Sequence, residues 1–522
     1  MITFTNLLYK PLLMAMITFM AVNMVQAATI NVGPGETYTT IQAAIDNASP
    51  GDVIEVASGI YTEQLHITTN NLTIQGVGDV TVKSPANLAA FFTFSSDNYY
   101  PVVFADGADG TTLKNLTVDG DKQGNNNSRF EGIAYWNAGG TMEDLEVINV
   151  MNDPLSGAQH GVAVYSANDT GDPYDFIIDN VDVQDFQKNG FSLRSGETGS
   201  ITMSNCDVIG AGPTDVIAQN GIQVFSENIS LTLTDCSVEK INYTGTTFSA
   251  VGVLIFFADA DINNVTVSES QVSFYTYGSD VNITESNISS PVTHGFVAWA
   301  QSPVPVKSGT NEILPQVSFF EENMDDSKRG LLGSDDIVVT ISDCNFSGSG
   351  NHHGVRIVAP DNTTVSADLS GNVINNWKYG IYSYRNADET GILYVDAFNN
   401  NLAGNSFGFV TNANQTQTAF CNWWGSTADA DIENMVQGDV DYRPWLISDD
   451  LSNPECAGGL IYVDGSTTPY DGTAQEAIDA AGFEVMFKYS PGMLHIDKEL
   501  EIIYDFTPLL QIIQGDDFNG VE

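Results

Sequence analysis

A four-residue pattern of glycine, apolar, any residue and apolar recurs along most of this chain. It starts at Gly132, Gly161, Gly190, Gly221, Gly252, Gly295, Gly354, Gly380 and Gly408. Successive glycines are 29, 29, 31, 31, 43, 59, 26 and 28 residues apart. A period in this range indicates a solenoid, in which each repeat forms one coil and equivalent positions stack into rows. The 59-residue step contains residues 301–335, which we interpret as one weakly patterned coil with a loop.

A second repeated segment lies out of phase with the first and alternates apolar and polar residues. Its copies begin at Leu113, Met142, Ile178, Met203, Leu233, Ile262 and Ile341, and each carries Asn or Asp at its third position. Alternation of this kind is typical of strands with one face inside and one outside. Asn and Asp favour turns because they tolerate left-handed backbone. No segment between the strands shows the pattern of a crossover helix, so we predict an all-β solenoid of short strands.

The start of the solenoid carries a different pattern. Ile41, Ala44, Ile45 and Ala48 are spaced as on one face of a short helix, and Pro50 ends the pattern. A solenoid exposes its core at each end and needs a cap there. We therefore predict an N-terminal capping helix.

The residues around this helix resemble a known family. Residues 40–56 read TIQAAIDNASPGDVIEV and are followed by GIYTE at Gly59 and LTIQG at Leu72. This segment is similar to the opening of pectin-lyase-like right-handed parallel β-helices, and the resemblance covers roughly residues 29–450. It implies that residues 28–455 form a right-handed parallel β-helix solenoid with a C-terminal cap.

The C-terminal end of this region resembles the terminal segment of many secreted bacterial β-helix proteins. The resemblance rests on the sequence NWWG at residues 422–425 and on VDYRPWL at residues 440–446. We expect Trp423, Trp424 and Trp445 to plug the open core there rather than to bind a ligand.

Two further segments flank the predicted solenoid. Residues 1–27 resemble a signal peptide, with Lys10 before an apolar run and small residues ahead of a cleavage point near Ala27 or Ala28. Residues 456–522 are predicted to be the start of a second, truncated β-helix, because AQEAIDAA at Ala474 echoes IQAAIDNA at Ile41. One coil cannot bury its own core, so this interpretation would make the sequence a piece of a longer protein.

The charge of the chain limits its partners. Lys and Arg number 17 and Asp and Glu 66, which gives a net charge of −49. Such a surface repels nucleic acid and anionic membranes. It also disfavours acidic polysaccharides unless a cation or a local basic patch intervenes, whereas neutral glycans meet no repulsion. After signal removal we expect no membrane span, a secreted or cell-surface location, and a protein that is monomeric or part of a larger chain.

The five cysteines allow two disulfides in an exported protein. Cys206 and Cys236 occupy the same repeat position on neighbouring coils, where they could form a disulfide or serve as small buried hydrophobes. Cys421 and Cys456 flank the end of the repeats and are a second candidate pair. An odd number leaves one thiol over.

The fourth position after each repeat glycine is rich in aromatic residues. In chain order it holds Trp136, Tyr165, Arg194, Phe225, Phe256, Trp299, Val358, Tyr384 and Asn412. Positions one and three should point inward, so position four should leave the core, and rungs about 4.8 Å apart would align the rings in a stripe. Such a stripe could bind polysaccharide by stacking on sugar faces, with Arg194 bonding hydroxyls. The alternative is that a turn or loop covers the rings.

Other candidate sites are more isolated. Arg356 and Tyr382 share an outward position one coil apart, and Lys188, Arg194, Arg356, Lys378 and Arg385 are candidate bases for a lyase. Asp119 and Asp121 lie in a segment similar to part of a calcium loop, although the bidentate Glu is missing. Calcium is therefore a possible cofactor there, and a solvated turn is the alternative.

Three histidines occupy the position before a repeat glycine: His160, His294 and His353. A stack of histidines suggests a metal, but we expect these three not to lie on adjacent coils. We therefore predict turn roles for them.

These observations leave three functional hypotheses. The first is an exported β-helix that binds polysaccharide or a cell-surface glycan through its aromatic stripe, without a clear catalytic motif. The second is a polysaccharide lyase or glycoside hydrolase, although the RxPxxR motif of pectate lyases and the motifs of polygalacturonases are absent. The third is a structural or adhesin module of a larger surface protein. The fold alone does not decide among them.

Overall fold

A computed structural model describes residues 27–457 apart from 95–96, 195–198, 226–228, 301–335 and 386–389, together with residues 461–463, 474–481, 484–487 and 501–504. The signal peptide predicted over residues 1–27 lies outside these residues except for Ala27. No helix among the described residues is long and apolar enough to cross a membrane.

The described part of the chain consists mainly of short strands. The first twenty are β1 (Thr29–Val32), β2 (Val53–Thr62), β3 (Leu65–Ile67), β4 (Thr73–Lys83), β5 (Phe92–Phe94), β6 (Asp97–Asp106), β7 (Thr111–Asp119), β8 (Phe130–Trp136), β9 (Gly140–Ile148), β10 (Val162–Ala167), β11 (Phe176–Gln184), β12 (Asn189–Leu193), β13 (Ser200–Ser204), β14 (Asp207–Ile209), β15 (Asn220–Phe225), β16 (Ser230–Thr234), β17 (Ser237–Glu239), β18 (Val251–Phe256), β19 (Asp259–Asn263) and β20 (Thr266–Ser268). The next twenty are β21 (Val272–Tyr277), β22 (Val281–Thr284), β23 (Asn287–Ser289), β24 (His294–Trp299), β25 (Asp336–Ser342), β26 (Asn345–Ser347), β27 (His353–Ala359), β28 (Thr364–Ser370), β29 (Val373–Asn375), β30 (Tyr379–Arg385), β31 (Ile392–Phe398), β32 (Phe407–Thr411), β33 (Gln417–Thr418), β34 (Val436–Gln437), β35 (Val440–Asp441), β36 (Trp445–Leu446), β37 (Cys456–Ala457), β38 (Ile461–Val463), β39 (Glu484–Phe487) and β40 (Glu501–Tyr504). The helices are α1 (Ile41–Ile45), α2 (Asp429–Glu433), α3 (Ala474–Ala480) and one 3₁₀ turn, Gln123–Asn126.

The strands stack as a parallel β-helix. A first sheet of 21 strands runs from the β1–β2 pair to β35, and a second sheet of 14 strands runs from β3 to β34. Within each sheet a strand pairs in parallel with its counterpart one coil later, as β15 does with β18. The second sheet contains the repeat glycines, and the first sheet contains the out-of-phase repeat. The parallel β-helix predicted from the sequence is confirmed.

The Asn and Asp residues of the first-sheet repeat make its turns. Residues at this corner have left-handed backbone with φ between 51 and 56°: Asn115, Asp144, Asn180, Asn205, Asp235, Asn264, Glu285, Asp343 and Asn399. Most residues avoid this conformation, and Asn and Asp tolerate it best. The repeated Asn/Asp position is therefore explained by the backbone that the corner requires.

Strand pairing corrects the placement of the coils. The 43-residue step between Gly252 and Gly295 contains an additional strand, β21, in which Ser273 takes the place of the glycine. The 59-residue step from Gly295 to Gly354 is a single coil, because β24 pairs directly with β27. Residues 301–335, within that step, lie outside the described residues.

The core between the sheets is mainly apolar in the described residues, and it includes a polar row. Asn372, Asn400 and Asn422 lie at the same inward position on successive coils and are fully buried. The Nδ2 of Asn372 donates to Oδ1 of Asn400 at 2.9 Å, and Asn400 donates in the same way to Asn422 at 2.9 Å. This buried amide row satisfies its own polar groups along the solenoid axis.

The cysteines separate into two kinds. Cys421 and Cys456 form a disulfide, as one of the two candidate pairings proposed. Cys206, Cys236 and Cys344 are buried free thiols. The backbone N–H of Cys206 lies 3.4 Å from the sulfur of Cys236, so the two residues are neighbours, as expected from their spacing, but serve as small buried side chains.

Both predicted end segments contain regular structure. In α1 the side chains of Ile41, Ala44 and Ile45 are buried, and the Glu63 carboxylate accepts from the N–H groups of Ile41 and Gln42 at 2.8 and 2.9 Å. At the other end Trp424 and Trp445 belong to the core. The capping role of α1 remains a prediction.

The segment after the disulfide contains α3 where the echoed motif lies. It also contains a small sheet in which β38 pairs antiparallel with β39 and β39 pairs parallel with β40. Its assignment as the start of a second β-helix over residues 456–522 likewise remains a prediction.

Candidate functional site

The outer face of the second sheet carries three rows of side chains. The first row, before the glycine position, is Glu131, Val162, Asn189, Asn220, Val251, Val272, His294, His353, Tyr379 and Phe407. The second row includes Tyr165, Gln223, Leu254, Tyr275, Val297, Arg356 and Tyr382. The third row includes Trp136, Ala167, Phe225, Phe256, Tyr277, Trp299, Val358 and Tyr384.

This register corrects the predicted stripe in two places. Tyr165 pairs with Ala134 and lies in the second row, whereas Ala167 occupies the position next to Trp136. The strand begins late because Gly161 has φ +81°, which shifts its coil by two residues. Tyr277 belongs to the stripe and was missed, since its coil has Ser273 in place of glycine. Its alternating apolar pattern, VSFYTY, was the available signal.

At the N-terminal end the stripe is covered. Trp136 and Tyr165 belong to a cluster with Phe92, Tyr99 and Phe104. The Phe92 ring, from hairpin strand β5, lies 5.0 Å from Trp136 and 4.4 Å from Tyr99 between centroids. Tyr165 is only 2% exposed. These two aromatic residues therefore contribute to packing under the hairpin.

In the middle of the sheet the stripe is also largely buried. Phe256 is 5% exposed and Trp299 3% exposed, while Phe225 and Tyr277 are half-buried. The guanidinium carbon of Arg194 lies 4.6 Å from the centroid of Phe225, so the Arg194 cation stacks on an aromatic ring. The middle of the stripe is a second aromatic packing cluster.

At the C-terminal end of the second sheet, half-exposed rings from all three rows lie close together. We call His353, Tyr379, Tyr382, Tyr384 and Phe407 the platform. His353 stacks 5.2 Å from Tyr379 and 4.6 Å from Tyr382 between centroids, and Tyr382 lies 5.9 Å from Tyr384. Tyr379 contacts Phe407 at 5.6 Å. Every member of the platform is half-buried, so each ring presents part of its surface.

Cations border the platform. Arg356 is half-buried beside Tyr382 in register, with its guanidinium carbon 5.9 Å from the Trp299 centroid. Lys378 is exposed and its Nζ lies 4.9 Å from the centroid of Tyr379. In a chain with 17 basic and 66 acidic residues, two cations beside one aromatic cluster form a local basic patch. Of the predicted site residues, the structure brings together Arg356, Tyr382 and Tyr384.

Two other candidate lyase bases, Lys188 and Arg385, are buried and form hydrogen bonds away from the platform. Lys188 is fully buried, its Nζ donates to the carbonyl of Ala218 at 2.7 Å, and burial lowers its pKa to about 7. Arg385 is 5% exposed and donates from Nε and Nη2 to the carbonyl of Asn412 at 3.0 and 2.7 Å. Both side chains hold backbone carbonyls within the wall of the solenoid.

The predicted calcium residues take part in a turn. Oδ1 of Asp119 accepts from the N–H of Asp121 at 2.8 Å, and Oδ1 of Asp121 pairs with Nζ of Lys83 at 2.8 Å. Within the described ranges, no three His, Cys, Asp or Glu side chains are arranged to hold a metal ion. Calcium at Asp119 and Asp121 stays a prediction from the sequence.

Glu131 begins the first row and is the most unusual buried group on this face. Its carboxyl is fully buried, and neither oxygen has a hydrogen-bond partner. Burial raises its pKa well above the ordinary value, and the nearby Arg129 cation opposes that rise. Arg129 itself is held by Asp97, with Nη2 at 2.7 Å from Oδ2. Burial therefore favours the neutral form of this carboxyl.

Glu131→Gln is expected to raise the melting temperature at neutral and alkaline pH. The folded chain retains a proton that the unfolded chain releases above about pH 4.3. This stabilisation is full below the unfolded pKa and is lost as pH rises through the folded pKa. The gain in the variant should grow between pH 5 and pH 8 in thermal unfolding, whereas the exposed Glu36→Gln control should give none. Parallel wild-type and Glu131→Gln curves across that range would contradict it.

Comparisons with known proteins give remote likenesses. No protein-family model matches the chain, and no curated protein matches it. A tailspike protein of the Acinetobacter baumannii bacteriophage Fri1, a capsular polysaccharide depolymerase, is 12% identical with a TM-score of 0.30, over 80% of this chain and 62% of that one. The chain thus spans less than two-thirds of that protein.

Two further solved structures are similar to the same extent. The A-module of a mannuronan C-5 epimerase from Azotobacter vinelandii is 12% identical with a TM-score of 0.28, over 77% of this chain and 94% of that one. A pectate lyase is 11% identical with a TM-score of 0.28, over 82% and 84%. At these values the likenesses carry no argument about function, and the fold rests on the strand order itself. The parallel β-helix that the resemblance of the N-terminal segment predicts is confirmed by the strand pairing of this chain.

Proposed function

We propose that this protein binds polysaccharide, outside the cell or at its surface, through the platform at the C-terminal end of the second sheet. The observation that carries the proposal is the group of half-exposed rings, in which His353, Tyr379 and Tyr382 lie within 5.3 Å of one another between centroids. The other aromatic clusters of the same face are covered or largely buried. The proposed binding surface is therefore one end of the stripe rather than its whole length.

Aromatic rings of this kind suit sugars. A tyrosine combines a flat apolar face with a hydroxyl that donates and accepts, so it can pack on a sugar ring and bond its hydroxyls. The three outward rows present such rings on coils about 4.8 Å apart. A short saccharide lying along β30, across the solenoid axis, would contact Tyr379, Tyr382 and Tyr384 in turn.

The test compares Tyr382→Ala and Tyr384→Ala with a matched control. Tyr394 is 40% exposed on the first sheet, so Tyr394→Ala removes a similar ring away from the platform. Each platform variant should weaken polysaccharide binding about tenfold, corresponding to about 1.4 kcal/mol of ring contact. Affinity electrophoresis against a panel of neutral and acidic polysaccharides would measure this loss.

Two results would count against the proposal. One is an equal loss in Tyr394→Ala, which would indicate a nonspecific effect. The other is unchanged affinity of the platform variants together with a lower melting temperature, which would assign the rings to packing. The same samples, scored for new reducing or unsaturated ends, separate binding from cleavage.

A further inference from the structure

Two histidines that were predicted to be unrelated turn residues lie side by side at the platform: His353, which belongs to it, and His294 on the preceding coil. His294 pairs in register with His353, because the long step between them is a single coil. Their rings stack with centroids 5.0 Å apart and planes 17° apart, and His352 lies 5.7 Å from His294. His160 does not join them, since Val162 rather than His160 occupies the first row on its coil. The prediction that the histidines are not on adjacent coils is wrong for this pair.

Several nitrogen atoms of these histidines are buried and form no hydrogen bond. Both nitrogens of His294, which is 7% exposed, have no partner. Nδ1 of His353 and Nε of Arg356 are also buried without a partner. All four atoms can donate when the histidines are protonated. Face-to-face stacking does not direct the nitrogens at a common point, in keeping with the absence of a metal-holding group among the described residues.

The surroundings of the pair are cationic. Burial lowers the pKa of His294 well below 6.5 and that of His353 to about 3, and the charges of Arg356 and His352 add to the effect. The neighbouring strand β21 contributes Tyr275, whereas the β30 side contributes Tyr379, Tyr382 and Lys378. Lys378 further lowers the pKa of His353. Burial and these neighbouring charges both favour the neutral form of the two histidines.

We propose that the platform selects saccharides bearing a carboxylate or sulfate group, which binds at His353 and Arg356, and that these histidines take up a proton when the anion binds. This inference rests on the proposed function and gives its site a charge preference and a pH dependence. An anion supplies the opposite charge that the cluster lacks. It thereby pairs with the positive charge of Arg356 and stabilises a histidinium that the free protein disfavours.

The sign of the pH dependence follows from this coupling. Without ligand, depressed histidine pKa values mean that stability is present above about pH 6.5 and is lost as pH falls toward the folded values. The bound anion raises the histidine pKa. At a pH between the pKa of the free protein and that of the complex, the histidine therefore takes up one proton when the anion binds. Affinity then increases by up to about tenfold per pH unit as pH falls. Neutral sugars should bind without this dependence.

The experiment titrates the full chain with glucuronate, with inorganic sulfate and with glucose as the neutral counterpart. Binding is followed between pH 5 and pH 7.5 by NMR of labelled histidine side chains, since the chain has only 6 histidines. We expect both anions to bind about tenfold more tightly at pH 5 than at pH 7.5 and to raise the titration midpoint of His353. A response to one anion alone would assign the preference to carboxylate or to sulfate.

Variants separate this mechanism from a general effect of acid. His353→Gln should abolish the pH dependence, whereas His160→Gln, which removes another buried histidine with a pKa lowered to about 4, should keep it. Equal affinity for glucose and glucuronate, or pH dependence that survives in His353→Gln, would overturn the inference.

A failure of this inference can be distinguished from a failure of the proposed function. If anions bind independently of pH while Tyr382→Ala still loses polysaccharide binding, the proposed function stands and this inference fails. If Tyr382→Ala keeps polysaccharide binding but sulfate raises the His353 midpoint, the anion site stands and the proposed function fails.

Discussion

Asn400→Leu is expected to lower the free energy of unfolding by about 4 kcal/mol. The Asn400 side chain lies in the middle of the buried amide row and has partners on both sides. Its Oδ1 accepts from N and Nδ2 of Asn372 at 3.0 and 2.9 Å, and its Nδ2 donates to Leu369 O and to Asn422 Oδ1 at 2.8 and 2.9 Å. Leucine would remove these four hydrogen bonds, each worth about 1 kcal/mol. Nδ2 of Asn372 would keep its bond to the Ile341 carbonyl, and Oδ1 of Asn422 would keep the backbone N–H of residue 400.

Urea unfolding followed by circular dichroism would measure this change. Asn282→Leu is the matched control, because Asn282 lies on an exposed strand position of the first sheet and should change stability by less than about 0.5 kcal/mol. If Asn400→Leu were as mild as Asn282→Leu, apolar contact with the surrounding core would compensate for the amides. The row would then be dispensable for folding.

The repeat pattern predicted the fold because it reflects local requirements of each coil. The Asn or Asp at the first-sheet corner is needed for left-handed backbone at positions such as Asp144 and Asp235, so it recurs wherever that corner recurs. The coil with Ser273 was overlooked because a search for glycine does not detect serine at the same place. The alternation of apolar residues in β21 continues through this coil. Counting strands rather than glycines would have found the coil.

The candidate site was predicted less well, because it depends on the register between paired strands and on which rings other segments cover. A two-residue shift at Gly161 moved Tyr165 into another row, and no period reports such a shift. The covering of Trp136 by Phe92 comes from a hairpin outside the repeat. His294 and His353 appeared unrelated across 59 residues, although strand pairing makes them neighbours. Arg356 and Tyr382 were predicted correctly as neighbours because only 26 residues separate them.

Gly221→Ala is expected to lower the free energy of unfolding by about 3 kcal/mol. A Cβ atom at this position would lie 2.6 Å from the carbonyl oxygen of Gly252 on the next coil and 2.6 Å from Cγ1 of Val238. The oxygen belongs to the backbone of a paired strand, so it cannot move away without disturbing the parallel ladder. Overpacking of this kind in a close-packed interior destabilises by about 1–3 kcal/mol, and the fixed backbone places this site at the upper end.

The same geometry explains why glycine recurs on most coils, although Ala163 and Ser273 occupy its position on two of them. At Gly190, Gly295 and Gly354 a Cβ would also approach the carbonyl of the following coil, to 2.7, 2.6 and 2.8 Å. Close approach between coils therefore favours glycine at these positions, and the sequence period is the spacing of that contact.

A matched substitution tests this explanation. Gly59 lies in β2, and a Cβ there would meet nothing nearer than 3.5 Å. Gly59→Ala should therefore leave stability unchanged or raise it by up to about 1 kcal/mol, through the entropy of the unfolded chain. Denaturant midpoints of the two variants should diverge accordingly. If Gly221→Ala were as stable as Gly59→Ala, the coils could separate to admit a methyl group, and glycine would be a marker of the repeat rather than a requirement of its packing.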